Sequence, residues 1–486
     1  LQTMKYTPYD DYNLNRVNNG LLGNSINAFT KTYYTQTELK RRYFSLYGNM
    51  AYTFRNCYTI NGSIRMDQSN LFGSDPGTQY KPIWSIGGVW KMSEENFMKN
   101  FKWLDRCNLR MTYGFAGNSP QAGQGGKYDI LTATSSSFFE RPGYTITSPA
   151  NGKITWEKTR TWNLGFDVAA LHNRIALSFD FYNKKTTNLI SDMLLNPFVG
   201  WASTVGNVGE LSNKGFEFSV NTLIVKTSNF SWKTALTLTH NVNKIVKLDV
   251  ATPYTASTLA TISFMNVEGY PINSLFSYRY AGLNEIGEPQ AYNKNGEIVA
   301  GVESRGLSAD DVVYSGTTIP KFYGGLTNRF RYKDWELSFL LIYNFGAKMR
   351  KQCETMEYGR PTSNLLNDYN NRWRKAGDEQ YTNIPGWSAT KNATANYNLF
   401  YFSDANILDA SFIKLRDLTI AYNFRPQWCQ KVSAQSISVK FMIGNLFYWA
   451  ANKEGIDPEY YNPTTYINSR QEKFGPSYAF DFNVTF

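Results

Sequence analysis

The sequence contains few of the residues that several common protein classes require. Its 486 residues include only 4 cysteines and 2 histidines, and no two cysteines form a CxxC pair. Metal centres and disulfide frameworks need such residues at close spacing, so we predict neither, and we expect no metal and no other cofactor. No apolar run approaches the roughly 18 residues of a membrane-spanning helix, which excludes a helical membrane protein.

Aromatic residues, in contrast, are abundant. They make up 16% of the chain, whereas charged residues make up only 18%, and this balance excludes intrinsic disorder. The net charge of +11 could suggest a nucleic-acid partner, but the basic residues are scattered along the chain, so we expect no nucleic acid. The first residues, Leu1 to Lys5, show neither an initiator methionine nor a signal peptide. We therefore expect the C-terminal part of a longer protein.

The dominant pattern along the chain is alternation of apolar and polar residues. Between residues 43 and 54 the even positions are mostly apolar, with Phe44, Leu46 and Met50 among them, and polar residues fall between. This period of two predicts half-buried strands. We count about fifteen such strands, many of ten or more residues, as in transmembrane barrels. They start near residues 43, 58, 81, 106, 158, 175, 214, 230, 263, 275, 321, 335, 411, 436 and 474.

The connectors between these candidate strands alternate in length. Segment 55–57 is followed by the longer 68–80, segment 171–174 by 187–213, and segment 333–334 by 347–410. Outer-membrane barrels have short periplasmic turns and long extracellular loops, whereas a soluble sandwich has no reason to sort its connectors. A propeller would require a blade repeat, and none is visible. The sequence therefore predicts an all-β protein, a transmembrane antiparallel β-barrel.

The end of the chain favours the same fold. In the last segment Tyr478, Phe480, Phe482 and Phe486 share one face, and polar residues such as Asp481 occupy the other. A terminal strand that is apolar up to its last residue fits a wall facing lipid. Six tryptophans near strand ends suit the interfacial aromatic girdles: Trp84, Trp90, Trp156, Trp162, Trp335 and Trp449.

The odd number of predicted strands indicates that the barrel is incomplete in this chain. An odd number of antiparallel strands cannot close into a barrel, so we expect further strands from an N-terminal part that is missing here. Residues 1–42 show no sustained alternation and are predicted to be an extracellular loop of the barrel. Residues 43–486 are predicted to be its C-terminal strands, with long extracellular loops and short periplasmic turns.

A series of short motifs runs in a fixed order from about residue 43 to the end. They lie at 66–73, 80–82, 88–90, 93–98, 109–118, 154–157, 207–209 with 213–217, 279–283, 320–325 and 411–419. In order and spacing these motifs resemble those of one family, the SusC/RagA-type TonB-dependent transporters of Bacteroidetes. One departure is Asp67-Gln68-Ser69-Asn70, where the family prefers Asp-Gly-Ser-Ser followed by Arg.

The resemblance implies more than a barrel wall. Such transporters close about 22 strands around a plug domain, so the plug and the first strands would be missing from this chain. The family also implies energy supply by TonB-ExbB-ExbD through that missing part, and a SusD-like surface lipoprotein as a lid. It further implies residence among outer-membrane lipid and import of an oligosaccharide or oligopeptide. This chain would carry the wall and mouth of that machine.

Candidate binding residues lie in the long loops, where aromatic rings stand among amides and carboxylates. Flat rings can stack on sugars or peptide side chains, so we predict substrate or lid contacts there; the alternative is that these residues pack the loops together or against a lid. The candidates are Arg372, Trp373, Trp387, Tyr460, Tyr461 and Tyr466. In addition, Phe486 is predicted to be a signal for barrel insertion.

Catalysis has no support in the sequence. A catalytic site needs a converging nucleophile, base and orienting group or a pair of carboxylates, and no known motif supplies them, so we predict that the chain is not an enzyme. Two rival functions remain open. One is a secreted soluble β-protein that binds or cleaves glycans, and the other is a passive porin.

Overall fold

The structure, a computed structural model, describes residues 2–6, 34–38, 42–69, 81–119, 128–136, 141–196, 198, 200–201, 203–248, 254–262, 266–353, 367–387, 393–460 and 475–486. Within them no helix has the length and hydrophobicity needed to cross a bilayer.

Strands dominate the described residues. They are β1 (Gln2–Tyr6), β2 (Tyr34–Glu38), β3 (Tyr43–Phe54), β4 (Tyr58–Ser69), β5 (Ile83–Lys91), β6 (Leu104–Asn118), β7 (Ile130–Ser136), β8 (Arg141–Ser148), β9 (Glu157–Ala170), β10 (Ile175–Leu194), β11 (Ser203–Lys226), β12 (Phe230–Leu248), β13 (Ser274–Leu283), β14 (Pro289–Tyr292), β15 (Ile298–Ala300), β16 (Val312–Thr317), β17 (Phe322–Tyr332), β18 (Trp335–Phe345), β19 (Lys348–Arg350), β20 (Ile407–Asp409), β21 (Phe412–Asn423), β22 (Ser436–Ala450) and β23 (Ser477–Thr485).

The helices of the described residues are short. They are α1 (Ala256–Thr261), α2 (Ala393–Tyr401) and α3 (Pro426–Gln430). Short 3₁₀ helices of the described residues occur at Met92–Glu94, Gly301–Gly306, Ala309–Asp311, Asn367–Tyr369, Asp378–Gln380, Asp404–Asn406 and Pro458–Tyr460.

One antiparallel sheet of thirteen strands, called the wall below, organises the molecule. Among the described residues its order is β3-β4-β5-β6-β9-β10-β11-β12-β17-β18-β21-β22-β23, with β3 and β23 at the two edges, so the sheet is not closed. The described part of the chain also forms four smaller sheets outside it: β1-β2, β7-β8, β13 to β16, and β19-β20. The first of these pairs two short strands within the segment predicted to be a loop.

Fourteen of the fifteen predicted strands are strands of the structure, and thirteen of them belong to the wall, although β11 begins eleven residues before its predicted start near 214. The candidate near 275 is a strand, β13, but it pairs with β14 and β16 outside the wall. The candidate near 263 starts outside the described residues, and the described residues before it form α1. The predicted connector 187–213 was too long, because β10 continues to Leu194 and β11 begins at Ser203.

The register of the wall keeps apolar residues on one face. At the last strand pair Phe441 lies opposite Phe480 and Val439 opposite Phe482, while Lys440 lies opposite Asp481 on the other face. Lys440 Nζ is 3.5 Å from an Asp481 carboxylate oxygen. The same parity continues across the sheet, as in the pairs Leu177–Val220 and Leu164–Phe181. We call the apolar face the outer face and the polar face the inner face.

Three neighbouring strands of the inner face meet in an ion cluster. Arg110 Nε of β6 lies 2.7 Å from Asp167 of β9, and Arg110 Nη2 lies 2.9 Å from Asp180 of β10. Gly165 lies between these groups, where a Cβ atom would come within 2.6 Å of both the guanidinium and the Asp180 carboxylate. A glycine is therefore required at this close approach.

Antiparallel pairing places the connectors of the wall at two opposite edges. One edge carries 55–57, 92–103, 171–174, 227–229, 333–334 and 424–435, all twelve residues or shorter. The other edge carries 70–82, 119–156, 195–202, 249–321, 346–411 and 451–476. Five of these six are longer than any connector of the first edge, so the sorting by length read from the sequence reappears in the structure.

Candidate functional site

The two longest connectors fold together into one unit, which we call the mouth module. It comprises the described residues of 249–321 and 346–411. Its core contains buried side chains from both connectors: Ala256, Ala260, Tyr278 and Ala291 from the first, and Cys353, Tyr397, Leu399, Phe400, Tyr401 and Phe402 from the second. The backbone also joins them, because Tyr278 N–H donates to the Phe402 carbonyl at 3.1 Å. The mouth module therefore has the kind of apolar core found in soluble domains.

Arg350 lies at the centre of the mouth module and is only 4% exposed. Its guanidinium donates to the Phe276 carbonyl at 2.8 Å, and at 3.4 Å to the carbonyls of Ala260, Tyr401 and Ser403. These acceptors come from both connectors. A single side chain thus satisfies buried backbone groups that have lost water.

Trp373 packs within the mouth module. Its indole Nε1 donates to Glu379 at 3.0 Å, and Cβ atoms added at Gly287 or Gly386 would come within 2.4 and 2.7 Å of its ring. Hydrogen bonds from the Glu379 backbone N–H and from this indole lower the pKa of the Glu379 carboxyl. The ring therefore joins a hairpin of the first connector to the second connector.

Arg372 and Trp387 both contact the partly exposed side chain of Tyr369. The Arg372 guanidinium lies 3.8 Å from the centre of the Tyr369 ring and donates to the Tyr369 carbonyl at 2.7 Å. The edge of the Tyr369 ring packs against Trp387, with 5.4 Å between the ring centres. All three side chains are partly exposed. Two of the predicted residues are thus brought together with a second aromatic residue, Tyr369, and this group can offer a ring face and a cation to a ligand.

Tyr460 belongs to a separate cluster at the long-connector edge of the wall. The Lys414 ammonium lies 4.9 Å from the centre of the Tyr460 ring and 2.8 Å from Asp457, and it also pairs with Glu459. Arg416 pairs with Glu459 as well. The Lys414 side chain is only 2% exposed, so this ion cluster fastens the connector after β22 onto the wall.

The remaining predicted residues lie elsewhere. Tyr461 and Tyr466 fall outside the described residues. Phe486 follows β23 at the short-connector edge and is 78% exposed, far along the strand from the mouth module. Among the described residues there is no group of three or more His, Cys, Asp or Glu that could hold a metal ion, and all four cysteines are free.

Sequence reasoning missed Arg350 and Lys414. Arg350 lies in a three-residue strand, β19, where no periodic pattern can develop. Lys414 offered a usable signal, because it is a charged residue between Phe412 and Leu415 in a strand whose neighbours are largely apolar. A lysine in that setting needs a buried acidic partner.

A long antiparallel sheet with one apolar and one polar face, and connectors sorted by length between its edges, defines an outer-membrane β-barrel wall. The chain belongs to the TonB dependent receptor-like, beta-barrel family, whose profile matches residues 2–446. Barrels of this family lie in the outer membrane, which is therefore the location of this chain.

Known relatives support the assignment. TonB-dependent receptor P3 of Formosa agariphila is 27% identical over 482 residues, which cover 95% of this chain and 46% of that protein. TonB-dependent receptor SusC of Bacteroides thetaiotaomicron is 27% identical over 438 residues, covering 85% of this chain and 41% of SusC. The chain thus spans about half the length of the curated relatives that it matches.

A solved structure confirms the fold. The structure of the RagAB peptide transporter aligns with this chain at a TM-score of 0.77 and 23% identity, over 94% of this chain and 49% of that chain. The predicted barrel fold and the resemblance to SusC/RagA-type proteins are both confirmed.

Proposed function

We propose that this chain forms the wall and mouth of a TonB-dependent importer that brings an oligosaccharide or an oligopeptide across the outer membrane. The observation that carries the proposal is the mouth module, a folded unit placed at one edge of a membrane-spanning wall. Its accessible group of Tyr369, Arg372 and Trp387 offers stacking faces and a cation beside one another. Such groups suit ligands that present flat apolar faces and many hydrogen-bonding groups.

The proposal includes partners outside this chain. A SusD-like surface lipoprotein covers the mouth module, and TonB-ExbB-ExbD supplies energy through the part of the protein that the longer relatives have and this chain does not. Relatives named SusC and RagAB support a two-component arrangement, because both match this chain across most of its length. The family consists of receptors and transporters, so we propose no enzymatic role.

The test uses the full-length protein in a deletion strain of its own host. Uptake of labelled oligosaccharides and oligopeptides is compared among the parent, the double variant Tyr369→Ala/Trp387→Ala, and Tyr381→Ala. Tyr381 is a matched control because it lies in the same connector and is 88% exposed. We expect the double variant to lose most of the uptake while its barrel still shows heat-modifiable gel migration. Equal uptake by the double variant and the parent would refute the assigned contacts.

A strain that also lacks TonB, together with fractionation of the parent cells, separates the rival functions. Loss of TonB should abolish uptake by an importer, whereas a passive porin would continue to admit the solute. A soluble glycan-binding protein would be found in the medium instead of the outer-membrane fraction, and uptake would not depend on it.

We also propose that Phe486 contributes to insertion of the barrel. It follows the last strand of the wall, which ends at Thr485 and carries Phe480 and Phe482 on the outer face. Deletion of Phe486 should lower the amount of inserted protein, as measured by surface labelling. Labelling at the parent level would contradict this role.

A further inference from the structure

An aromatic belt crosses the outer face of the wall. Trp162 and Phe181 are in contact, with 5.5 Å between ring centres. Phe216 lies 5.4 Å from His240, and His240 lies 4.3 Å from Phe322. These rings come from β9, β10, β11, β12 and β17. Aromatic girdles mark the levels at which a transmembrane barrel leaves the hydrocarbon.

Cations follow this belt on the same face, toward the long-connector edge. Arg160, Lys185, Lys214 and Lys244 lie two or four residues beyond Trp162, Phe181, Phe216 and His240, and Lys158 follows Arg160. Even spacing along a strand keeps side chains on one face. All but Lys185 are classed as exposed. We call this set of five residues the cationic belt.

The height of the cationic belt matches the thickness of a membrane. Arg160 is ten residues from Ala170 and Lys185 is ten residues from Ile175, the residues at which β9 and β10 meet the short turn 171–174. A tilted strand needs about 9–11 residues to cross the hydrocarbon. The cations therefore begin where the apolar layer ends, at the depth of lipid headgroups.

The cationic belt is poorly neutralised within the chain. Arg160 lies directly opposite Lys185 in the register, and like charges in that position repel each other. Glu210 pairs with Lys185 at 2.8 Å and supplies the one ion pair found for these five cations among the described residues. Glu157 alternates to the inner face, where its carboxylate accepts from Asn118 and from the Ile190 N–H. An external anion would relieve the repulsion.

The cationic belt does not continue onto the last four strands of the wall. On β18, β21, β22 and β23 the outer-face residues at the same edge are apolar or aromatic, such as Tyr343, Ile413, Trp449 and Tyr478. A general need for solubility at this level would have produced cations on these strands as well. The arrangement instead indicates a localised binding surface.

We propose that the cationic belt on β9 to β12 binds the phosphorylated headgroups of outer-leaflet lipid. Phosphate is the complementary anion that this depth offers, and long lysine and arginine side chains reach it while their methylene groups remain against the hydrocarbon. A lid over the mouth would not meet this surface, because the belt lies on the outer face. The inference rests on the long-connector edge facing the cell exterior, and not on which nutrient is imported.

The test uses the purified full-length transporter in detergent and native mass spectrometry. The probe is diphosphoryl lipid A, compared with the same lipid after enzymatic removal of its phosphates. The double variant Arg160→Gln/Lys214→Gln is matched by Lys184→Gln/Lys233→Gln, which removes two inner-face cations. Each cation near a membrane surface contributes about fivefold in affinity, so the belt variant should bind the phosphorylated lipid about 25-fold more weakly. The control variant should bind like the parent.

Several outcomes would overturn the inference. They are equal binding by the belt variant and the parent, equal binding of the dephosphorylated lipid, or an equal loss in the control variant. Competition by inorganic phosphate alone at the lipid concentration would indicate a free anion site instead. If the belt variant dissociates a dimer without changing lipid binding, the surface belongs to a second copy of the chain. Weakened lipid binding with unimpaired uptake in the belt variant would support the inference independently of the proposed import function.

Discussion

The wall exposes its apolar side chains, whereas the mouth module buries them. In the wall, Phe480 is 69% exposed and Phe482 is 59% exposed, and the polar residues occupy the inner face. In the mouth module, Leu399 is 1% exposed and Phe400 is 4% exposed, inside a shared core. One chain thus contains a part whose apolar face requires lipid and a part that buries its apolar residues in itself. Alternation of apolar and polar residues therefore indicates that the two faces of a strand have different surroundings. It does not by itself indicate that the apolar face is buried within the protein.

Lys414→Ala should have the largest effect, because Lys414 joins the connector after β22 to the wall. Its removal leaves the buried Asp457 carboxylate without its ammonium partner, and breaking a buried ion pair costs about 3–5 kcal/mol. Urea titration of refolded full-length protein would measure the change in the free energy of unfolding.

Lys440→Ala is the matched control for that variant. Its ammonium is 3.5 Å from Asp481 and its side chain is 41% exposed, so its loss should cost at most about 1 kcal/mol. Similar losses in the two variants would show that burial of the Lys414 cluster does not matter.

Leu399→Ala should damage the mouth module and spare the wall. Truncating a fully buried leucine leaves a cavity and costs about 2–5 kcal/mol. Limited proteolysis should then cleave the connectors 249–321 and 346–411 faster, while heat-modifiable migration of the barrel stays unchanged. Tyr381→Ala, at an exposed position of the same connector, should leave proteolysis at the parent rate. Loss of heat-modifiability in Leu399→Ala would mean that the two regions do not fold separately.

Phe482→Arg should do the reverse, damaging the wall and sparing the mouth module. Arginine on the lipid face near the middle of the membrane costs about 2–4 kcal/mol in barrels. Urea titration in detergent or lipid would report this loss. Stability equal to the parent would place Phe482 on the inner face and invert the register of the last strand.

Asp481→Asn should have the smallest effect, and it compares the inner face of the last strand with the outer face tested by Phe482→Arg. Asp481 faces the inner side, and its ion pair with the half-exposed Lys440 is long at 3.5 Å. We expect a change within about 0.5 kcal/mol, as for most substitutions away from a core. A greater loss at 481 than at 482 in the same titration would contradict the assignment of the two faces.

The sequence predicted the wall well where each strand has one face in lipid and one in a polar lumen. Strands β3, β9 and β23 show that contrast over most of their length, and their positions follow from it. The contrast disappears in β10 beyond Thr187, where the register shifts and the strand has passed the apolar layer. Because both faces of this part of β10 have polar surroundings, its sequence does not need to alternate. The extension of β10 to Leu194 could therefore not be predicted from a period of two.

The mouth module was less predictable for the opposite reason. β13 begins with five buried residues in succession, so its sequence carried strand propensity without telling which sheet it joins. The group of Tyr369, Arg372 and Trp387 was partly anticipated from its residue types. The contact between Tyr369 and Trp387 spans 18 residues of an irregular connector, and the carbonyl cage around Arg350 joins segments up to 90 residues apart. No local pattern encodes such contacts.

The ion cluster of Arg110, Asp167 and Asp180 has a consequence for how the wall reaches its correct alignment. A slip of one residue between neighbouring strands would turn apolar side chains into the lumen, so the alternation itself rejects every odd slip. A slip of two residues leaves every side chain on its original face of the sheet, so the alternation does not disfavour it. A slip of two residues between β6 and β9 would nevertheless move Asp180 away from Arg110 and bring Asn163 or Asp167 to the place of Gly165, where no Cβ atom fits. The ion cluster therefore specifies the register independently of the hydrophobic pattern, because it disfavours a slip by two residues that this pattern permits.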